Sequence, residues 1–289
     1  MKDVKQIFRE EEKEFYDFSK SPELIRLEEE KSEFLKRKGL GGGRETKEEI
    51  STWREIQDGF IERAKNEGSK MYKQENVKKS KDRKNKFFED IDLMEGDVID
   101  IGGGWGLYRE WWKGNDEYIY VVHDPGVERF LVEPHDSIKK YYGDVLDTQM
   151  TFVEGFGETL PYRDGIFDVC LIASTIKHCA DPKKVLKESY RVLKSGGRLL
   201  VIDSFESSDE DESTAIKLQV LINHLKEEGL VTTASVLWRK FIYAIKDVDE
   251  HMHSFTKEYM KNLLKESGFS ISKESGLGER RLGIEAKKV

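Results

Sequence analysis

The junction Val98-Ile99-Asp100-Ile101-Gly102-Gly103-Gly104-Trp105-Gly106 constrains this chain more than any other stretch, because an apolar run carrying one acid meets four glycines. Glycine lets a backbone approach a neighbour or ligand with no Cβ in the way and supplies positive φ where a turn needs it. Around this junction, from Asp97 to Phe205, short apolar runs alternate with helical stretches, the sequence form of a doubly wound parallel sheet. The candidate strands are Asp97 to Ile101, Tyr118 to Val122, Thr151 to Val153, Ile166 to Ala173 and Arg198 to Asp203. Asp181-Pro182 reads as the cap and first turn of a helix carrying Val185, Leu186, Tyr190 and Leu193 and ending at Ser195-Gly196-Gly197. In an open parallel sheet, ligands sit beyond the carboxyl ends of the strands where strand order reverses, and the first strand-to-helix turn lies there. The glycine junction is that turn.

A nucleotide cofactor is the leading expectation, and the glycine spacing separates two classes of it. The dinucleotide fingerprint needs glycines at its first, third and sixth positions. Counted from Gly102 the sixth position is Leu107, and counted from Gly104 it is Arg109, so neither register fits. What stands here is Asp-x-Gly-x-Gly-x-Gly, from Asp100 to Gly106, and an acid at the strand end repels pyrophosphate and suits a cation.

Composition bounds the rest. With 289 residues, 37% of them hydrophobic, the chain can bury one full core with an appendage. No apolar segment is long enough for a membrane span and no charged-then-apolar leader follows Met1, so a cytoplasmic setting is expected. Cys170 and Cys179 are too few for a disulfide framework and lack metal-ligand spacing; Cys170 reads as core. A formal charge of -8 makes nucleic acid an unlikely partner, although residues 65–86 form a basic stretch.

Three parts are expected. Residues 1–86 read as a helical N-terminal extension: Ser21-Pro22 opens one helix, the glycine run Leu40-Gly41-Gly42-Gly43 breaks the chain, and Thr46 with Glu49 forms a capping box for another. Residues 87–289 form the main domain, interrupted at 206–250 by a helical insertion with amphipathic segments at Ser213 to Glu228 and Thr233 to Ile245. A helix at Thr256 to Ser267 and two short strands, Phe269 to Lys273 and Leu282 to Lys287, close the chain. The apolar stripes of 46–66 and of the insertion, with Trp53, Phe60, Trp238 and Phe241, could cover the cofactor as a lid or pack on the outer face.

Four blocks in order resemble the class I S-adenosylmethionine (SAM) dependent methyltransferases, especially the subgroup of the quinone-biosynthesis methyltransferases. They are the glycine junction; Tyr120-Val121-Val122-His123-Asp124-Pro125; Gly155-Phe156-Gly157-Glu158-Thr159-Leu160-Pro161 running into Phe167-Asp168-Val169; and Arg191-Val192-Leu193-Lys194-Ser195-Gly196-Gly197. The resemblance covers about Phe87 to Phe205 closely. It implies a Rossmann-like methyltransferase sheet, mostly parallel with an antiparallel last strand. It also implies SAM as cofactor and methyl transfer to an unidentified, small-molecule acceptor. Two alternatives stay open: a catalytically silent SAM-binding protein, and an RNA or protein methyltransferase using the basic stretch 65–86.

By the same resemblance the cofactor residues are Asp100, Gly102, Gly103, Gly104, Trp105, Gly106, Asp124, Phe156, Gly157 and Ala173. Asp124, 20 residues past Gly104 (124 minus 104), looks like the acid that receives both ribose hydroxyls. Phe156 stands where many relatives carry an acid for the adenine amino group; it could stack on the purine and leave backbone groups to read its edge. A rival alignment would place that loop at Gly143-Asp144-Val145. Trp105 and Tyr108 could sit against the sulfonium or simply shape the pocket. His178 and His253 are the candidate bases, with His251 beside the latter; His-Met-His is also metal-like spacing, but no metal is expected because no Cys or third His stands near.

Overall fold

A computed structural model of the chain describes residues 3–18, 24–27, 73–127, 136–146, 150–205, 255–278 and 280–289. The segments 46–66 and 206–250, and with them Trp53, Phe60, Trp238, Phe241, His251 and His253, lie outside the described residues.

Eleven strands are described, nine of them in one sheet: β1 (Tyr16–Asp17), β2 (Leu24–Leu27), β4 (Val98–Ile101), β6 (Tyr120–Asp124), β7 (Thr151–Glu154), β8 (Phe167–Ala173), β9 (Leu193–Ser204), β10 (Phe269–Gly276) and β11 (Arg281–Lys288). Their order is β1-β2-β7-β6-β4-β8-β9-β11-β10, while β3 (Met94–Glu95) and β5 (Trp112–Lys113) pair separately. From β2 to β9 all neighbours are parallel, and β11 enters antiparallel between β9 and β10, as expected.

Each central strand feeds two cores, because alternate side chains point to opposite faces and helices cover both. Ile99, Ile101, Val121, Val153, Cys170, Ile172, Leu199 and Val201 lie in one core. Val98, Tyr120, Val122, Phe152, Val169, Leu171, Leu200 and Ile202 lie in the other. The helices α1 (Gln74–Asp90) and α2 (Asp136–Leu146) add Val77, Phe87, Phe88, Ile138 and Tyr142 to the second core. The first is completed by α3 (Pro182–Val192) and α4 (Lys257–Glu266), through Val185, Leu186, Met260 and Leu264. Asp181 caps α3 as the sequence suggests, its side chain accepting from the Lys184 N–H at 3.0 Å, with Pro182 in the first turn. The helix stops at Val192, and the Ser195-Gly196-Gly197 turn lies within β9.

The N-terminal part departs from the expectation of a helical extension. Residues 3–18 form two 3-10 turns (Val4–Ile7 and Glu10–Phe15) and β1, and the chain after Ser21-Pro22 is β2, not a helix. β2 pairs parallel with β7, Ile25 opposite Val153, where burying Ile25 in the first core outweighs the local start signal. Phe8 anchors this edge: its ring lies 5.2, 5.0 and 5.1 Å from those of Tyr16, Phe18 and Tyr162. Only α1, at the end of the extension, is α-helical among its described residues.

Candidate functional site

The glycine loop follows β4, which lies between β6 and β8 at the point where strand order reverses. Gly102, Gly104 and Gly106 take φ of 68, 55 and 65°. Much of what excludes side chains here is the protein itself. A methyl on Gly102 would overlap the Thr175 side chain, one on Gly103 would come within 2.5 Å of Asp100 Cγ, and one on Gly106 within 2.6 Å of Met150 Sδ. The loop is wedged between β8's following turn and the strand beneath it. Gly104 instead directs its N–H at Asp124 Oδ2, at 3.2 Å.

Asp124 ends β6 and is 8% exposed. Its other oxygen accepts the Gly126 N–H at 2.7 Å. Burial holds its carboxyl above the usual range against those two hydrogen bonds. Asp100, fully buried on β4, accepts the Tyr120 hydroxyl on Oδ2 at 2.8 Å, while Oδ1 has no hydrogen-bond partner. Burial pushes Asp100 up to about 7, opposed by the Tyr120 hydrogen bond. An acid so placed is relieved by a cation, which restores the ionised form that burial disfavours.

His123, the residue before Asp124, fixes the next loop. Its Nε2 lies 3.2 Å from the Phe156 carbonyl and its Nδ1 2.9 Å from the Tyr162 hydroxyl. A carbonyl can only accept, so Nε2 carries the proton and Nδ1 accepts from Tyr162. Burial depresses the ring to about 4, so it is neutral near pH 7. Gly155 packs against this ring and Gly157 against Ile101, with hypothetical Cβ contacts of 2.5 and 2.8 Å. The half-buried Phe156 is thereby held between the ends of β4 and β6. The rival stretch Gly143-Asp144-Val145 lies within α2 and not in a loop at a strand end. Glu158 ties the block to the turn after β8, accepting the Ala180 and Asp181 N–H groups at 2.7 and 3.3 Å.

That turn begins at Ala173, continues through Ser174 at φ 55° and enters a 3-10 turn, Ile176–His178. Thr175 brings its hydroxyl within 3.2 Å of the Gly102 carbonyl and 3.0 Å of Ala173's, joining it to the glycine loop. His178 is half-buried, its N–H on the Thr175 carbonyl at 2.8 Å. Beside it, Lys177 Nζ stands 3.2 Å from Asp203 Oδ1 and 2.8 Å from Ser204 Oγ. Asp203 is 2% exposed and its Oδ2 has no hydrogen-bond partner. Sequence reasoning passed over this pair; the signal was an acid closing the apolar run Leu199-Leu200-Val201-Ile202, as Asp124 closes β6.

Asp100, the four glycines, Trp105, Asp124, Phe156, Gly157, Ala173 and His178 thus all fall on strand ends or the turns that follow them at one edge of the sheet. Tyr108 is committed elsewhere: its ring lies 6.4 and 5.9 Å from those of Phe88 and Trp111, and Lys84 Nζ is 4.6 Å from its centroid. Among the described residues no group of three His, Cys, Asp or Glu is arranged to hold a metal ion. No described helix is long and apolar enough to cross a membrane.

Residues 99–201 match the family described as a methyltransferase domain. A ubiquinone/menaquinone biosynthesis C-methyltransferase of Marinomonas sp. is 30% identical over 178 residues, 60% of this chain and 65% of the relative, so the chain spans less than two thirds of that protein. A sarcosine/dimethylglycine N-methyltransferase of Halorhodospira halochloris is 27% identical over 56% of each chain. A solved SAM-dependent methyltransferase of Thermotoga maritima, described as a possible histamine N-methyltransferase, gives a TM-score of 0.49 at 21% identity, covering 82% of this chain and all of that one.

Proposed function

We infer, for a chain that carries a class I SAM-dependent methyltransferase domain of the quinone-biosynthesis type, that it transfers a methyl group from SAM to a small-molecule acceptor. The observation that carries this reading is the pair of buried acids flanking the glycine loop, Asp124 ending β6 and Asp100 with an unpartnered oxygen beneath the loop. The first suits two vicinal hydroxyls and the second a positive charge.

In this reading each Asp124 oxygen keeps a lone pair for a ribose hydroxyl, the backbone of Gly102 to Gly106 lies along the methionine portion with Trp105 beside it, and Phe156 stacks on the purine while Gly157 offers its backbone. SAM supplies an already activated methyl group on a sulfonium. What the chain contributes is alignment, which in well-arranged cases is worth about 7 to 11 kcal/mol. Ala173, His178, Lys177 and Asp203 form the acceptor side. His178 or His253 would take a proton where the acceptor carries one, worth roughly 10² to 10⁴-fold. Asp203, held by Lys177, would orient an acceptor hydrogen through its open oxygen. A cytoplasmic setting goes with the same reading.

An RNA-directed role for residues 65–86 has less support. Among its six described lysines, Lys78, Lys81 and Lys86 are paired with Asp82, Glu110 and Asp90 at 2.8, 2.6 and 3.1 Å, which draws half of them away from phosphates. Calorimetry with SAM, S-adenosylhomocysteine and NAD tests the cofactor reading, and label transfer from methyl-tritiated SAM into a metabolite pool tests turnover. Binding of both adenosyl ligands but not NAD is expected. Tighter binding of NAD than SAM overturns the reading, and cofactor binding without label transfer leaves a silent binding protein.

A further inference from the structure

Three basic side chains without a paired carboxylate stand toward the carboxyl edge of the sheet, where Phe87 of α1 packs on Gly283 of β11 and so brings Arg83, one helical turn before Phe87, to the level of Arg281, two residues before Gly283. Arg83 and Lys84 stand on α1, and Arg281 begins β11, opposite Ser204 at the end of β9. Lys84 Nζ lies 3.2 Å from the Tyr142 hydroxyl and 4.6 and 4.9 Å from the ring centroids of Tyr108 and Tyr142. All three residues are half-buried, and among the described residues none of the three has an ion-pair partner. Of the acids nearby, Glu110 pairs with Lys81 at 2.6 Å and Asp203 with Lys177 at 3.2 Å, while Asp100 accepts the Tyr120 hydroxyl at 2.8 Å; none is paired with these three cations. Burial, then the charge of Arg281, holds Arg83 below its usual range. Burial likewise pushes Lys84 down to about 8, with Arg83 and Arg281 adding to the depression against Asp100 and Glu110.

Like charges held together in half-buried positions are costly for the fold alone, and an incoming anion offsets that cost with charge-assisted hydrogen bonds. Resting on the methyl-transfer reading, we propose that the acceptor is an anion, a small molecule whose carboxylate or phosphate is received by Arg83 and Arg281 with Lys84 behind them. The position favours the acceptor over the cofactor's own carboxylate, which has the same chemistry. Along β4-β8-β9-β11, Arg281 stands three strands from the glycine loop's strand, roughly 14 Å at the usual strand spacing, on the side of Lys177 and Asp203.

The test titrates inorganic phosphate into the full chain saturated with S-adenosylhomocysteine, and into an Arg83→Gln/Arg281→Gln variant. Phosphate should bind the loaded chain and bind the variant at least about fivefold more weakly. The variant's affinity for S-adenosylhomocysteine should stay within about twofold, and Arg83→Lys/Arg281→Lys should retain most of the phosphate binding. If phosphate binds only the unloaded chain, or the glutamine variant loses about tenfold or more in affinity for S-adenosylhomocysteine, the cluster serves the cofactor's carboxylate and the proposal is overturned. Absence of phosphate binding to either form overturns it as well. A chain that binds phosphate but no S-adenosylhomocysteine instead defeats the methyl-transfer reading on which the proposal rests.

Discussion

Gly102 and Thr175 occupy one another's space: the threonine hydroxyl reaches the glycine carbonyl at 3.2 Å, and any Cβ on the glycine would overlap the threonine side chain. The turn after β8 is thus fitted to the turn after β4, and the two loops that flank the transfer site in the proposed function behave as one part.

Gly102→Ala should therefore destabilise the chain by more than the ~1 to 2 kcal/mol that a left-handed backbone costs a non-glycine residue, because the overlap with Thr175 adds to it. Thr175→Ala removes the overlapping atoms and should restore part of the loss in the double variant. Urea unfolding of the two single variants and the double gives the coupling; strictly additive losses would mean that the loops do not share the strain.

Asp124→Ala should weaken SAM binding by about 1.5 to 3 kcal/mol, the range for a hydrogen bond to a charged group. It also frees the Gly104 and Gly126 N–H groups, so a smaller loss of thermal stability accompanies it. Calorimetry with S-adenosylhomocysteine reads the first effect, and an unchanged affinity would move the ribose contact away from Asp124.

Stability against pH should show two opposing slopes. Asp100 titrates at about 7 in the folded chain against 3.8 for an ordinary aspartate, so its contribution is full below the lower value and is lost as pH rises through the upper one. His123 titrates at about 4 against 6.5, so the unfolded chain takes its proton first and stability is lost as pH falls from 6.5 toward 4. The shifts are worth roughly 3 to 4 kcal/mol each, and between pH 4 and 6.5 their opposing slopes nearly cancel. Relative to the parent, Asp100→Asn should lose stability faster on acidification and His123→Gln more slowly. Asp124 and Glu158 are shifted in the same direction as Asp100, which tilts the parent toward greater acid tolerance. Denaturation midpoints across that window check both signs; parallel profiles for the three proteins would refute the assignment.

Phe8→Ala should cost ~3 to 5 kcal/mol, as for a core phenylalanine. It should also weaken S-adenosylhomocysteine binding, because Phe8 backs Tyr162, Tyr162 donates to His123, and His123 holds the Phe156 carbonyl. Tyr162→Phe, which keeps the packing and removes only the hydroxyl, should lower affinity at a smaller loss of stability, about 1 to 3 kcal/mol for the buried His123 Nδ1 it leaves unpaired. Full affinity in both variants would cut this chain of contacts out of the cofactor loop's support.

What the sequence disclosed follows the physics of each element. β4, β6, β8 and α3 could be read because a strand buried on both faces is a continuous apolar run and Asp181-Pro182 is a strong cap. Leu24–Leu27 could not: Ser21-Pro22 signals a helix, and four residues are too few for a period to contradict it. α2 has no such clear signal, because Gly143 interrupts its short apolar pattern and Tyr142 beside it takes a non-helical φ of -134°. Within the site, Asp100, Asp124 and the glycines carry local patterns, whereas His123's role depends on Tyr162 and Phe156, far along the chain. The meeting of Arg281 with Arg83 is set by strand order and helix placement, which no local pattern encodes.

The edge built by Phe8, Arg9 and β2 also bears on how the protein is made. Arg9 reaches the Leu160 carbonyl across a separation of 151 residues, and β2 finds its parallel partner only when β7 exists. During synthesis this segment must therefore wait, with only the short β1 pairing, until β7 has been made. Long-range pairing of this kind is slow and leaves an exposed strand edge open to wrong partners in the meantime. This edge is thus among the last pieces to find its place, and crowded or rapid production should tell on it before it tells on the central strands.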